Sequence, residues 1–175
     1  QNYGRFVMTG SIGGYYGNQR CVNYAVSKSA MIGLSNVISL EGQEHNVKSN
    51  VILPGAVTRM AEGLDTSLYP PMGPELVAPV VAYLCHESCD LAGQSLMSMA
   101  GRVCNIHMEE TIGVYRPTWT IEDVAANLDG INDRTDAKIF GLSGYLDHLG
   151  FSFEMATKGG AWWMRGPVFP GRGGL

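Results

Sequence analysis

The sequence predicts an α/β fold in which parallel strands alternate with helices. Three short apolar runs, at about residues 5–10, 47–53 and 94–99, are typical of buried strands. Helical patterns over 24–44 and 75–87 lie between them. Because consecutive parallel strands need a long crossover, this alternation favours one parallel sheet with helices packed against it in three layers.

The first strand, residues 5–10, delivers a polar side chain, Ser11, at its carboxyl end. In the next helix Tyr24 and Lys28 stand four residues apart, so both project from one face. This arrangement brings a hydroxyl, a phenol and an ammonium within reach of one another.

These three groups suit proton transfer to an alcohol or carbonyl oxygen. Tyrosine alone is too weak a base at neutral pH, whereas a neighbouring ammonium stabilises the phenolate. Tyr24 is therefore the candidate general acid/base, Lys28 the group that activates it, and Ser11 the hydrogen-bonding partner of the substrate oxygen. The alternative is an ordinary half-buried helix start, with the stem of Lys28 lying along apolar surface.

The stretch from Thr9 to Tyr16 is rich in glycine, like a dinucleotide-binding loop, but two features argue against that role. Tyr16 occupies the position of the third glycine, where a side chain would block close helix packing. No acidic residue lies about 20 positions further on. We predict that Gly13 and Gly14 keep a turn open beside the substrate pocket, with plain turn chemistry as the alternative.

The helix over 24–44 is apolar on most sides, which predicts a helix that is buried on most sides. The next strand, 47–53, is expected to end at Pro54 and Gly55, since these residues stop a strand and turn the backbone. Ligands bind beyond the carboxyl ends of strands in open parallel sheets, so this turn is a candidate binding loop.

These motifs resemble those of the short-chain dehydrogenase/reductase family, in which a catalytic serine follows a central strand and a Tyr-x-x-x-Lys motif opens the next helix. The likeness extends beyond Ser11, Tyr24 and Lys28 to three further segments, Tyr15–Asn18, Leu40–Gly42 and Pro54–Met60. It covers roughly residues 1–150 and only the second half of the family's domain. The sequence is similar to the (3R)-hydroxyacyl-CoA dehydrogenase type of multifunctional fatty-acid β-oxidation enzymes and of bacterial relatives.

The resemblance implies the C-terminal portion of a Rossmann-like, doubly wound parallel sheet with a helical C-terminal extension. It also implies an NAD- or NADP-dependent oxidoreductase that interconverts a secondary alcohol and a ketone. A 3-hydroxyacyl-CoA and its 3-oxoacyl-CoA partner are the expected substrates, with steroids and acyl-carrier-protein substrates left open. The choice of NAD or NADP also stays open, because the residues that decide it in the family have no counterpart here. The alternative function is a catalytically inactive truncated subunit that acts as an assembly or interaction partner.

The resemblance also assigns contacts with the cofactor and with a second subunit. Tyr24 and Lys28 gain a second role there, the lysine holding the ribose. In the family the loop after the second strand closes over the nicotinamide, so further cofactor contacts fall on Pro54, Gly55, Val57 and Thr58. Residues 59–72 resemble the family's mobile substrate lid. The helix over 24–44 is the expected contact in a homodimer or tetramer.

The C-terminal half adds elements without recognisable chemistry. After the strand at 94–99, Ala100-Gly101-Arg102 stands where the family has a glycine-rich turn. Thr120 to Asp123 is typical of a helix start and predicts a helix through Leu128, and a weaker pattern predicts another over 137–149.

These patterns divide the chain into a dehydrogenase portion (1–105), an extension (106–157) and a tail (158–175). The tail combines glycine and proline with bulky apolar residues, which predicts disorder or irregular docking. Trp162 and Trp163 as a binding patch are the alternative.

Composition excludes several classes of protein. The 175 residues are 45% hydrophobic without a membrane-length apolar run, and the net charge of −4 offers no basic field for nucleic acid or an anionic membrane. The four cysteines lack a paired metal-binding spacing, and Cys85–Cys89 is interpreted as structural. Reduced thiols and no recognisable signal peptide predict a cytoplasmic location, or a peroxisomal one in a eukaryote. The start at Gln1, close to a strand, predicts a truncated chain that alone binds no dinucleotide and associates through an uncovered strand edge.

Overall fold

The computed structural model describes residues 1–157, which fall into two compact units, Gln1–Met108 and a second that begins at Glu109. Within the described residues, the first unit contains four strands and three helices: β1 (Gly4–Thr9), α1 (Ile12–Tyr16), α2 (Val22–Gly42), β2 (Val47–Gly55), α3 (Ala78–Cys85), β3 (Ser95–Met99) and β4 (Arg102–Ile106). Short 3-10 segments lie at Gln43–His45, Arg59–Ala61 and Pro74–Leu76. The second unit contains α4 (Ile121–Ala126), α5 (Leu128–Ile131) and α6 (Gly144–Thr157).

The four strands form one sheet in the order β1-β2-β3-β4. The first three strands are parallel, and β4 is antiparallel to β3. The predicted α/β class and the three parallel strands are therefore confirmed, although the sheet as described is mixed. β1 is an edge strand among residues 1–157, and the side chain of Phe6 on it is 47% exposed.

The hairpin between β3 and β4 corrects the sequence-based expectation for Ala100 and Gly101. Met99 pairs with Arg102, which leaves a two-residue turn in which Ala100 has φ 50° and Gly101 has φ 78°. Two positive φ angles match the twist of a tight hairpin. This segment is thus a strand-to-strand turn, and the patterns miss β4 because alanine is not a usual residue at such a position.

β2 continues through Pro54 and Gly55, two residues beyond its predicted end. The N–H of Val51 donates to the oxygen of Gln94 at 2.8 Å, so alternate N–H groups of β2 point toward β3, and the nitrogen of Pro54 faces the other side. There the pairing with β1 has already ended at Ile52. The missing N–H of proline therefore removes no ladder hydrogen bond.

α2 packs on β2 through small polar side chains. Ser35, Ser39 and Ser49 are fully buried. The hydroxyl of Ser39 donates to the main-chain oxygen of Ser49 at 2.8 Å and accepts from its N–H at 3.0 Å, and the Ser35 and Ser49 hydroxyls lie 2.9 Å apart. Apolar side chains fall on the other faces, and within residues 1–157 several are exposed, including Val26 and Val37. Within residues 1–157 one face of α2 is therefore buried on the sheet, and burial of its other faces against a second subunit stays a prediction.

The core beside the candidate site centres on Val51, Leu53 and Met97. Tyr15 from α1 and Met99 from β3 pack against these three side chains. Since Tyr15 is the fourth residue of the five-residue α1, this contact anchors the short helix on the sheet. Packing of Tyr15 on the core therefore also positions Ser11, the N-cap residue of α1.

The second unit confirms one predicted element and corrects another. The hydroxyl of Thr120 accepts from the N–H of Asp123 at 3.1 Å, and the Asp123 carboxylate accepts from the N–H of Thr120 at 3.1 Å, so the predicted capping start of α4 is confirmed. The helix predicted over 137–149 is wrong at both ends, because Lys138 pairs with Glu110 in a β-bridge and α6 runs from Gly144 to Thr157.

The remaining predictions concern the helix over 75–87, the membrane and the tail. The helix resolves into a 3-10 turn at Pro74–Leu76 followed by the shorter α3. Between residues 1 and 157, no helix is both long and apolar enough to cross a bilayer. The proposed tail, 158–175, with Trp162 and Trp163, lies outside the described residues.

Candidate active site

The predicted site residues gather where β1 and β2 end. Because these two strands are parallel neighbours, their carboxyl ends lie at the same edge of the sheet. Ser11 follows β1 by two residues, and Pro54 and Gly55 close β2. Tyr24 and Lys28 lie in the first two turns of α2.

Ser11 is the N-cap residue of α1, with extended backbone angles. Its Oγ accepts a hydrogen bond from the N–H of Gly13 at 3.1 Å. A hydroxyl has one donor and two acceptor positions, so the O–H of Ser11 remains able to donate to a substrate oxygen. The cap also fixes where that hydroxyl lies, because its oxygen is tied to the first turn of the helix.

Lys28 contacts the surroundings of both other members of the candidate catalytic triad, which consists of Ser11, Tyr24 and Lys28. Its Nζ donates to the main-chain oxygen of Thr9 at 3.0 Å and lies 5.8 Å from the centroid of the Tyr24 ring. Thr9 ends β1 and precedes Ser11 by two residues. The ammonium therefore lies beside the phenol while it is hydrogen bonded to the strand that presents the serine.

Gly13 separates Ser11 from Tyr24. A Cβ atom built on Gly13 would lie 3.5 Å from Oγ of Ser11 and 3.6 Å from Cε1 of Tyr24. The hydroxyl and the edge of the phenol ring thus border one small space, which exists because residue 13 carries no side chain. The structure brings Ser11, Tyr24 and Lys28 together as the spacing predicted.

Gly14 sets the distance between α1 and α2, a role that sequence patterns did not reveal. A Cβ atom there would lie 2.9 Å from the main-chain nitrogen of Ser29 and 3.0 Å from the carbonyl carbon of Lys28. The hydroxyl of Ser29 donates to the main-chain oxygen of Gly14. The predicted turn at Gly13 and Gly14 is a helix, α1, in which Gly14 allows close approach to α2 and Gly13 leaves space beside Ser11 and Tyr24.

The loop after β2 is held by its own hydrogen bonds. The hydroxyl of Thr58 accepts from the N–H of Met60 at 3.3 Å, and the N–H of Val57 donates to the oxygen of Met72 at 2.6 Å. A Cβ atom on Gly55 would lie 2.6 Å from Cγ of Met99, so any larger residue there would displace the Met99 side chain. Among the described residues, no hydrogen bond joins this loop to the triad, and the roles of Pro54, Gly55, Val57 and Thr58 stay predictions.

The segment predicted as a lid, 59–72, contains one short 3-10 turn and is largely exposed. Met60 is 90% exposed and Leu68 is 94% exposed. Asp65 and Ser67 form a local turn, in which the hydroxyl and N–H of Ser67 hold the pKa of the Asp65 carboxyl below its usual range. Apolar side chains this exposed are available to cover a bound ligand.

The cysteine and histidine side chains at 85–89 lie apart from the candidate site. Cys85 is exposed, Cys89 is buried, and Nδ1 of His86 lies 2.8 Å from Oγ of Ser88. In the described part of the chain, no three histidine, cysteine or acidic side chains converge in a way that could hold a metal ion.

Comparison with known proteins agrees with this geometry. Residues 1–67, which include the triad and the loop after β2, match the family model described as short chain dehydrogenase. Over 147 residues the chain is 46% identical to the peroxisomal multifunctional enzyme type 2 of Drosophila melanogaster, covering 81% of this chain. The part of the chain that contains the candidate site is therefore similar to the short-chain dehydrogenases.

Two further matches agree with this similarity. The chain is 39% identical over 142 residues to the peroxisomal multifunctional enzyme type 2 of Mus musculus, which covers 78% of this chain. A solved structure of the full-length Drosophila enzyme matches 91% of this chain with a TM-score of 0.77 and 39% identity. The chain spans 25% of the Drosophila sequence, 19% of the mouse sequence and 30% of the solved chain.

Proposed function

We propose that this chain supplies the catalytic residues of an NAD(P)-dependent dehydrogenase that interconverts a secondary alcohol and a ketone. The convergence of Ser11, Tyr24 and Lys28 around the space beside Gly13 carries the proposal. The match of residues 1–67 to short-chain dehydrogenases supports it and disfavours the alternative of an inactive assembly subunit.

Each member of the triad has one role in alcohol oxidation. The hydroxyl of Ser11 donates a hydrogen bond to the substrate oxygen and orients it. The phenolate oxygen of Tyr24 removes the proton from the substrate hydroxyl, and in the reverse reaction the phenol returns that proton to the ketone oxygen. The ammonium of Lys28 stabilises the phenolate, because it lies next to the ring.

A nicotinamide cofactor bound beside these residues would supply the hydride acceptor for the carbinol carbon. The residues of this chain that would hold it are Tyr24, Lys28 and the loop residues Pro54, Gly55, Val57 and Thr58. The donor set supports that assignment, since the Lys28 ammonium is hydrogen bonded to the end of β1 and the Thr58 hydroxyl follows the end of β2, at the sheet edge where such ligands bind. The choice of NAD or NADP is not part of the proposal.

We propose a 3-hydroxyacyl thioester as the substrate. The resemblance to the (3R)-hydroxyacyl-CoA dehydrogenase type supports this substrate class. The names of the two relatives above describe peroxisomal multifunctional enzymes, which supports a peroxisomal location for this chain. The exposed apolar side chains of the 59–72 segment, such as Met60 and Leu68, are suited to covering an acyl chain.

The test is a panel assay of the purified enzyme with NAD and NADP. The panel contains a 3-hydroxyacyl-CoA, a free secondary alcohol, a steroid alcohol and a polyol, and turnover is followed by nicotinamide absorbance. Preferred oxidation of the thioester is the expected result. Activity confined to the polyol would overturn the substrate assignment, and full activity after removal of the Tyr24 hydroxyl would overturn the mechanism.

A further inference from the structure

A second concave site lies between α1 and the β3–β4 hairpin, inside the first unit. It is a cavity of about 400 Å³, within the usual range for small-molecule sites, roughly 300–1,000 Å³. Met97, Met99 and Ile106 contribute apolar side chains from the two strands, and Ile12 and Tyr16 contribute them from α1. Methionine side chains adapt their shape to a ligand, which suits a flexible apolar chain.

This cavity is separate from the catalytic triad. Ser11, Tyr24 and Lys28 are absent from its lining. Gly13 and Gly14 of α1 face Tyr24 and α2, whereas Ile12 and Tyr16, four residues apart, share a different face of the helix. The cavity therefore opens on the other side of α1 from the proposed reaction.

The polar part of the lining is cationic or neutral. It consists of Arg102, Asn105 and His107, with no aspartate or glutamate. Asn105 is occupied, because its Nδ2 donates to Oε1 of Gln94 at 2.6 Å. Arg102 is exposed and forms no ion pair with any carboxylate of residues 1–157. An unpaired guanidinium beside an apolar surface is suited to an anion that carries an apolar chain.

We propose that this cavity binds an amphipathic anion of the fatty-acid kind. The alkyl chain lies over Met97, Met99 and Ile106, and the carboxylate is hydrogen bonded by the guanidinium of Arg102. Binding at this site needs neither the cofactor nor the triad, although Met99 also lies against Gly55.

Cys104 provides a direct probe, because it lines the cavity and is partly exposed. Cys85 is exposed elsewhere and serves as the internal reference. The purified protein is treated with a maleimide with and without decanoate, and alkylation of each cysteine is followed by peptide mass spectrometry. Decanoate is expected to slow alkylation of Cys104 by at least about fivefold and to leave Cys85 unchanged, since reactivity follows exposure. Equal rates at Cys104 with and without decanoate would overturn the proposal.

The anionic head is tested by calorimetric titration of decanoate and of uncharged decanol without cofactor. Arg102→Gln is expected to weaken decanoate binding at least about tenfold, the usual effect of losing a hydrogen bond to a charged group. Arg102→Lys should retain part of the affinity, and Arg20→Gln, which makes the same change in charge outside the cavity, should retain all of it. If decanol binds as tightly as decanoate, or if Arg102→Gln leaves the affinity for decanoate unchanged, Arg102 does not bind the carboxylate and the proposal is wrong. Because turnover is not measured, failure here leaves the proposed dehydrogenase intact.

Discussion

Lys28 donates a hydrogen bond from Nζ to the main-chain oxygen of Thr9, 3.0 Å away. This contact ties the second turn of α2 to the carboxyl end of β1, two residues before Ser11. The same ammonium lies 5.8 Å from the Tyr24 ring centroid. One side chain thus contacts both the strand that leads to Ser11 and the ring of Tyr24, as the role proposed for Lys28 requires.

Removing the phenolic hydroxyl should abolish most of the turnover. In the active enzyme, Tyr24→Phe is expected to lower kcat by at least about a hundredfold, the usual contribution of a positioned acid/base. Tyr83→Phe is the matched control, because the Tyr83 side chain in α3 is 46% exposed, as is that of Tyr24. Steady-state kinetics on both variants decides the matter, and equal turnover by the two would remove Tyr24 from the mechanism.

The triad could be predicted from sequence because it depends on local rules. A strand end fixes Ser11, and helical spacing places Tyr24 and Lys28 on one face. The roles of Gly13 and Gly14 could not be predicted in the same way, since they depend on the distance between α1 and α2, which tertiary packing determines.

The errors in the fold have a similar origin. The helical pattern of α2 assigns its apolar residues to the interior, yet Ser35 and Ser39 are the buried ones. Their hydroxyls satisfy the main chain and the hydroxyl of Ser49, so burial of these polar side chains leaves no unpaired group. Such pairing joins residues far apart in sequence and leaves no periodic signal.

Two glycines in neighbouring helices should respond in opposite ways to alanine. Gly14→Ala places a methyl group against the main chain of Lys28 and Ser29, so we expect a loss of about 1–3 kcal/mol in unfolding free energy and a loss of activity as α1 moves. Gly33→Ala meets no atom of the chain within 4 Å and should gain about 1 kcal/mol from helix propensity at protein concentrations too low for self-association through α2. Urea unfolding of the two variants measures both changes. Stabilisation by Gly14→Ala would contradict the close packing of α1 on α2.

The capping carboxylate of α4 should make local stability depend on pH. The main-chain N–H of Thr120, its hydroxyl and the Arg116 guanidinium lower the pKa of Asp123 in the folded state. A lowered folded pKa gives stability that is present above the unfolded pKa, about 3.9, and is lost as pH falls through the folded value. Asp123→Asn should therefore be less stable than the parent at neutral pH and equally stable in strong acid.

Trp119, which adjoins the cap, can report unfolding of α4 once Trp162 and Trp163 are replaced by phenylalanine. Its fluorescence is followed through urea unfolding of the parent and of Asp123→Asn from about pH 7 to about pH 2. A difference between them that persists unchanged into strong acid would show that the Asp123 charge does not stabilise α4.

The exposed apolar face of α2 should mediate association. Val26, Leu34 and Val37 project from α2 and are at least 47% exposed among the described residues. Apolar surface buried against a second copy contributes about 25 cal/mol per Å², and a carboxylate in that contact would lose its hydration without gaining a partner. We therefore expect Val37→Glu to weaken self-association at least about tenfold.

Sedimentation equilibrium measures the effect, and Val103→Glu is the matched control. The Val103 side chain on β4 is 50% exposed and that of Val37 is 48% exposed, so both variants add one charge at a similarly exposed valine. Association lost in Val37→Glu and retained in Val103→Glu would support the α2 contact.

The competing surface is the outer edge of β1. The N–H of Gly10 donates to Ile52 of β2, so the N–H of Val7, three residues earlier in the chain, points away from β2. If Val37→Glu leaves association intact while Val7→Pro, which removes that outward donor, abolishes it, the contact lies at the edge of β1 and not on α2.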